Sequence, residues 1–264
     1  MITLVDDIQL GYDDAGSGVP LVLIHGFPHN RTLWAPQVHG LADRARCVAI
    51  DLRGFGESTP APPFGMDRYA DDVVAVLDRL RIDRAVVAGL SMGGYVAFAL
   101  WRRHRSRVRG LVLAATRAGA DSPEAMEKRR GMIELARTRG AGAVADAMMP
   151  GMVGKTSREK IPDVVEAVRT MLASAPVDGT IGALEAMMAR PDSTPTLATI
   201  DAPTMVIAGD EDALIPMSDA WSMHEAINGS RFEIVAGAGH VVNRERPAAF
   251  NHLVSEFLAG VTLE

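Results

Sequence analysis

Ala85-Val86-Val87-Ala88-Gly89-Leu90-Ser91-Met92-Gly93-Gly94 is the stretch from which the rest of the chain is read. An apolar run of strand length leads into Gly-x-Ser-x-Gly. Met92–Arg103 follows, apolar nearly all round, as a helix packed under a sheet is. A serine on a sharp strand-to-helix turn takes a strained backbone conformation, so the residues two before and two after it must lack bulk. Gly89 and Gly93 meet that demand. The hydroxyl then stands at a helix N-terminus, where developing negative charge is stabilised. In this context, and as the sole Gly-x-Ser-x-Gly of the chain, Ser91 reads as a nucleophile rather than a structural serine.

Similar apolar runs lie on either side. Leu21–Ile24, Cys47–Ile50, Leu111–Ala114 and Met205–Ala208 are continuous, the mark of strands covered on both faces. Phe232-Glu233-Ile234-Val235 is less purely apolar and belongs nearer a sheet edge. Ile8–Asp14 is strand-like and ends at the turn cluster Ala15-Gly16-Ser17-Gly18. Tyr69–Ile82 carries Val73, Val76, Leu77 and Leu80 at helical spacing. The basic cluster Arg102-Arg103-His104-Arg105 suits a helix C-terminus, where the dipole is negative, better than a nucleic-acid site. The alternation predicts an α/β fold: a mostly parallel central sheet with helices on both faces.

Residues 117–195 break the alternation. They hold helical segments such as Glu124–Arg139 and Asp163–Ala173, and no strand-like run. Eight of the 14 methionines fall there, about twice the share its length predicts, which suits core gaps and adaptable apolar surfaces alike. The expectation is a helical cap over 117–195, inserted into a core domain made of 1–116 and 196–264. Arg190-Pro191-Asp192-Ser193-Thr194-Pro195 is the returning hinge.

Composition removes other classes. With 264 residues, 48% of them hydrophobic and 23% charged, the chain can bury one large core. A net charge of −6 argues against nucleic acid as partner. No apolar run reaches the ~18–20 residues of a membrane span. A single cysteine, Cys47, excludes an internal disulfide and fits a reducing compartment, and the opening residues have no basic stretch or long apolar run, so neither a secretory signal nor a location outside the cytoplasm is expected.

A serine hydroxyl at neutral pH needs a base. Of seven histidines, His240 follows the last strand-like run in the turn Gly237-Ala238-Gly239-His240, within reach of the sheet's C-terminal rim. His104, His224 and His252 read as helix-surface residues. His25 and His29 are four apart, but Gly26-Phe27-Pro28 between them forbids the helix that a metal-ligand pair would need. The base in turn needs an acid to orient it. The loop Gly209-Asp210-Glu211-Asp212 offers three carboxylates, and spacing alone does not choose among them.

Together with Gly89–Gly94, the segments His25-Gly26-Phe27-Pro28, Asp51–Ser58, Gly209–Pro216 and Gly237–His240 with Glu245 and Pro247 resemble the α/β-hydrolase superfamily over residues 15–260. The resemblance implies the α/β-hydrolase fold with Ser91, Asp212 and His240 as triad, the acid being the one three residues after Gly209; Asp210 is the second choice. It also implies an oxyanion hole from the backbone N–H groups of Phe27 and Met92, with His25 bracing that loop. Ser91 in place of an aspartate argues against haloalkane dehalogenases and most epoxide hydrolases. The chain is similar to carboxylesterases and to 3-oxoadipate enol-lactonase-like members. A dicarboxylate substrate of the latter kind would call for a cation in the pocket, with Arg129, Arg130 and Arg190 as candidates beside their plainer reading as solvated helix faces.

The expected function is a serine hydrolase of small to medium carboxylic esters or lactones, with a small-molecule substrate as its partner. It requires no metal and no organic cofactor. Two alternatives stand beside it: a cofactor-free haloperoxidase or perhydrolase, and a small-molecule receptor with slow or no turnover. Oligomeric state is not legible.

Overall fold

In the computed structural model, residues 1–5 and 8–261 are described. Among them, one sheet is formed by β1 (Ile2–Val5), β2 (Ile8–Ala15), β3 (Val19–Ile24), β4 (Ala45–Ile50), β5 (Ala85–Leu90), β6 (Val108–Ala114), β7 (Thr204–Gly209) and β8 (Arg231–Val235). The order across it is β1-β2-β4-β3-β5-β6-β7-β8. The β1–β2 and β2–β4 pairs are antiparallel and the others parallel. β8 is an edge strand, as its Glu233 foretold. β1 escaped the sequence reading because it is four residues long and exposes Ile2 and Leu4, so it carries no buried run.

The helices are α1 (Ala35–Leu41), α2 (Met66–Arg79), α3 (Met92–His104), α4 (Pro123–Met152), α5 (Lys155–Lys160), α6 (Pro162–Ala173), α7 (Val177–Met188), α8 (Thr194–Leu197), α9 (Met217–Ala226), α10 (Val242–Glu245) and α11 (Pro247–Ala259). Val22 and Ile24 of β3 join a core with Val73 and Leu77 of α2, Val96 and Phe98 of α3 and Met223 of α9. Leu21 and Leu23 point the other way, into a core with Leu41 of α1 and Phe250 and Val254 of α11. The central strands carry continuous apolar runs because both faces are covered. Each fully buried Leu, Ile or Phe contributes roughly 1.5–3 kcal/mol, so these two layers hold the sheet edge rigid.

Two helices differ from expectation at their ends. α2 begins at Met66, three residues before Tyr69, because Met66 itself is buried against the core. α4 runs past Arg139 to Met152, bent at Gly140, whose φ of 75° only glycine adopts readily. Met152, Met171 and Met187 are buried and Met132, Met148 and Met188 pack partly against the core, so these methionines serve as gap-filling core. No helix among the described residues is long and apolar enough to cross a membrane.

The chain leaves β3 toward β4 on one side and returns to β5 on the other. At such a switch point the loops after neighbouring strands diverge and leave a crevice beyond their carboxyl ends. Ser91 and the His25–Pro28 loop both lie at this point.

Candidate active site

Ser91 joins β5 to α3 with φ 56° and ψ −115°, a left-handed conformation that costs on the order of 1–3 kcal/mol for a non-glycine residue. The backbone approaches on either side of it leave room for glycine alone. A Cβ on Gly89 would collide with the Gly93 carbonyl, and one on Gly93 with the Ile24 carbonyl. The Ser91 amide donates to Ala114 O (2.9 Å), and its carbonyl accepts from Gly94 N–H (2.9 Å) and from Thr116 Oγ1 (2.7 Å). Thr116 was missed by sequence reading, since it comes from the next strand's loop and carries no motif.

The loop after β3 lies directly on the serine: a Cβ on Gly26 would stand 3.0 Å from Ser91 Cβ. Phe27 is buried and meets Phe55 edge-on at 6.4 Å, and Phe55 meets the His25 ring at 5.4 Å. Met92 is the first residue of α3, where amides have no acceptor within the helix. His25 has both nitrogens engaged: Nδ1 donates to Gly26 O (2.8 Å) and Nε2 accepts from Leu52 N–H (3.0 Å). Burial depresses its pKa, with the Gly26 bond and Asp51 opposing, so the ring is a neutral brace.

His240 Nδ1 lies 3.0 Å from Asp212 Oδ2, both side chains almost fully buried. Burial by itself would raise the Asp212 carboxyl. His240 and the N–H groups of Leu214 (2.8 Å) and Ile215 (3.1 Å) outweigh it and hold the carboxyl below its ordinary range. An ionised carboxylate only accepts, which assigns the proton to Nδ1 and leaves Nε2 open. The other two carboxylates of this loop are spent elsewhere. Asp210 Oδ1 accepts from Gly237 N–H (2.7 Å), and Glu211 takes the Thr156 N–H (2.8 Å) and hydroxyl (2.5 Å). Geometry therefore joins Asp212, and neither neighbour, to His240.

Glu245 locks the His240 turn. Its two oxygens accept Gly239 N–H (2.9 Å) and Gly154 N–H (2.8 Å), and Val241 N–H donates to Met152 O (3.2 Å). The end of α4 is thereby fastened to the turn that carries His240. Asp51 does the same for the opposite rim, accepting Arg31 N–H (2.7 Å) and Glu57 N–H (2.9 Å) and pairing with the Arg31 guanidinium. Both acids stood inside quoted motifs, but their partners lie 20 to 91 residues away or across a turn, which no local pattern reveals.

The three arginines considered for an anionic substrate are occupied. Arg190 and Arg129 both pair with the Asp121 carboxylate, and Arg190 also lies over the Tyr95 ring at 4.1 Å. Arg130 is an exposed partner of Glu127.

His29, considered in the sequence only as half of an excluded metal-ligand pair, has a distinctive environment. It is 1% exposed, and neither ring nitrogen has a hydrogen-bond partner. Burial, with His25, His240 and Arg244 nearby, pushes its pKa down to about 3 against a weak opposing pull from the Gly26 carbonyl.

Comparison with known proteins agrees with this architecture. Residues 21–253 match the model of the alpha/beta hydrolase family. The chain is 31% identical over 256 residues to 3-oxoadipate enol-lactonase 2 of Acinetobacter baylyi, covering 94% of this chain and 92% of that protein. A thermophilic esterase from Thermogutta terrifontis, solved with malate bound, superposes with a TM-score of 0.94 at 40% identity, over 98% of this chain and 97% of that one. A bromoperoxidase from Bacillus anthracis superposes with a TM-score of 0.85 at 26% identity, over 96% of each chain.

Proposed function

This chain belongs to the alpha/beta hydrolase family, and from that premise we propose that it is a serine hydrolase of small to medium carboxylic esters or lactones, acting through an acyl-enzyme on Ser91. The observation that carries the reading is the buried His240–Asp212 pair of 3.0 Å, on the same sheet edge as the strained Ser91 turn. The esterase and enol-lactonase relatives support the substrate class.

Ser91 Oγ attacks the acyl carbon while His240 Nε2 takes its proton. Asp212 holds the imidazole in the required tautomer and stabilises the imidazolium. The oxyanion rests on the Phe27 and Met92 N–H groups, which contribute on the order of 3 kcal/mol each to lowering the barrier. His240 then protonates the leaving alcohol, and water activated by His240 cleaves the acyl-enzyme. Residues 117–195 act as the cap. The bonds from Gly154 and Thr156 to Glu245 and Glu211, and from Val241 to Met152, support this by tying that segment to the catalytic loops.

A fluorophosphonate should label Ser91 alone. A series of 4-nitrophenyl esters should favour about two to six acyl carbons, since each accommodated methylene contributes roughly 0.8 kcal/mol until the chain meets the cap. Labelling elsewhere, or rates still climbing at ~12 or more carbons, overturns the reading. The bromoperoxidase likeness favours one second reading, peroxide in place of water at the acyl-enzyme. Perhydrolysis exceeding hydrolysis with the same acyl donor would establish it.

A further inference from the structure

Three histidines are gathered around the Gly26–Phe27 loop; His25 has both ring nitrogens bonded and His240 has one. His25 bonds Gly26 O and Leu52 N–H, and His240 bonds Asp212. His29 is within electrostatic reach of both, yet its two nitrogens are buried with no acceptor and no donor. The Gly26 carbonyl near the ring already accepts His25 Nδ1–H and the His29 backbone N–H (2.9 Å). A buried imidazole without partners costs about 1–3 kcal/mol for each lost bond. A buried orphan calls for a specific cause, and beside a reaction centre a bound small polar molecule supplies one.

We propose that His29 is a positioning residue that holds the hydrolytic water against His240. The proposal rests on the acyl-enzyme reading above. A neutral imidazole offers one N–H donor and one lone pair, which is the complement of water. Burial keeps the ring neutral across the working range, so it does not compete with His240 for protons.

In the step assigned to it, the water oxygen attacks the acyl carbon and one water proton passes to His240 Nε2. The carbon–Oγ bond then breaks, and Ser91 Oγ regains a proton from His240. The acid leaves carrying the water oxygen. His29 begins and ends the step neutral, fixing the direction of approach.

The test separates the two half-reactions. With 4-nitrophenyl butyrate, the full-length wild type, His29→Leu and His29→Gln are followed through the nitrophenol burst. Hydroxylamine is then added as a competing nucleophile, and the hydroxamate-to-acid ratio is measured. In His29→Leu the acylation rate should stay within about threefold, while hydrolysis of the acyl-enzyme falls about tenfold or more and the ratio rises with it. His29→Gln, which keeps a donor and an acceptor, should recover at least half of that change. If the leucine variant does not fold, His29→Ala takes its place in the comparison with His29→Gln. Acylation and hydrolysis falling together at an unchanged ratio would reduce His29 to a structural prop and overturn the proposal. A loss confined to KM or to acylation would assign it to the substrate and overturn it equally. Absence of any acyl-enzyme in the wild type, with Ser91 unlabelled, would instead strike the serine-hydrolase reading itself.

Discussion

The loop after β7 and the loop after β3 solve opposite problems. Between Asp210 and Asp212, three adjacent carboxylates each have a separate destination: Gly237, Thr156 and His240. Between His25 and His29, one imidazole has both nitrogens bonded and the other has neither. The first loop is complete as folded, and its Asp212 fixes the His240 ring proposed as the base. The second is complete only in its brace. A polar group fully satisfied by its own chain is architecture, and one left buried without partners points to a molecule from outside.

The comparison is tested most severely at its shared target. Ser91→Ala and His240→Ala should each lower kcat by about a thousandfold or more, and the double variant should lose little beyond either, because these groups act as a unit. Additive losses, measured as kcat on one short-chain ester, would break the assignment. Within the β7 loop the division of labour predicts a steep contrast. Asp212→Asn should cost about a thousandfold by presenting the wrong tautomer, whereas Asp210→Asn, which keeps an acceptor for Gly237, should stay within about threefold. Reversed effects in parallel assays would move the acid to Asp210.

Glu245 asks whether the His240 turn depends on its two backbone bonds. Glu245→Ala leaves the Gly154 and Gly239 amides without their acceptor, so stability should fall by about 3 kcal/mol. For a chain of this length that lowers Tm by roughly 6–12 °C. An unchanged melting curve would mean the turn is held by packing alone.

The smallest effect sharpens the contrast between the histidines. His25 and His29 have folded-state pKa values depressed by burial, His29 to about 3. Above an unfolded imidazole value of ~6.5 both states are neutral and stability is level. As pH falls below that value, the unfolded chain takes up protons that the folded chain refuses. Stability therefore drops with acid, by about 1.4 kcal/mol per pH unit for each imidazole wholly inside the window. Urea midpoints should fall between pH 7.5 and 5, and His29→Leu should show a shallower fall. An identical slope in the variant would mean that His29 titrates freely when folded.

Much of the molecule was legible in one dimension because its signals are local. The sheet follows from continuous apolar runs, and the Ser91 turn follows from glycines two residues either side, since the steric demand acts over one turn of chain. The order serine, acid, histidine is likewise a property of the sequence. Three things were decided only in space. Asp212 is separated from Asp210 and Glu211 by which of them reaches His240, 28 residues further along. Arg129 and Arg190 turn out to be consumed by Asp121, up to 69 positions away, because charges pair with whatever folding brings near. His29 has no local pattern at all. Its significance lies in the partners it lacks, and a missing hydrogen bond exists only once the surrounding atoms have been put in place.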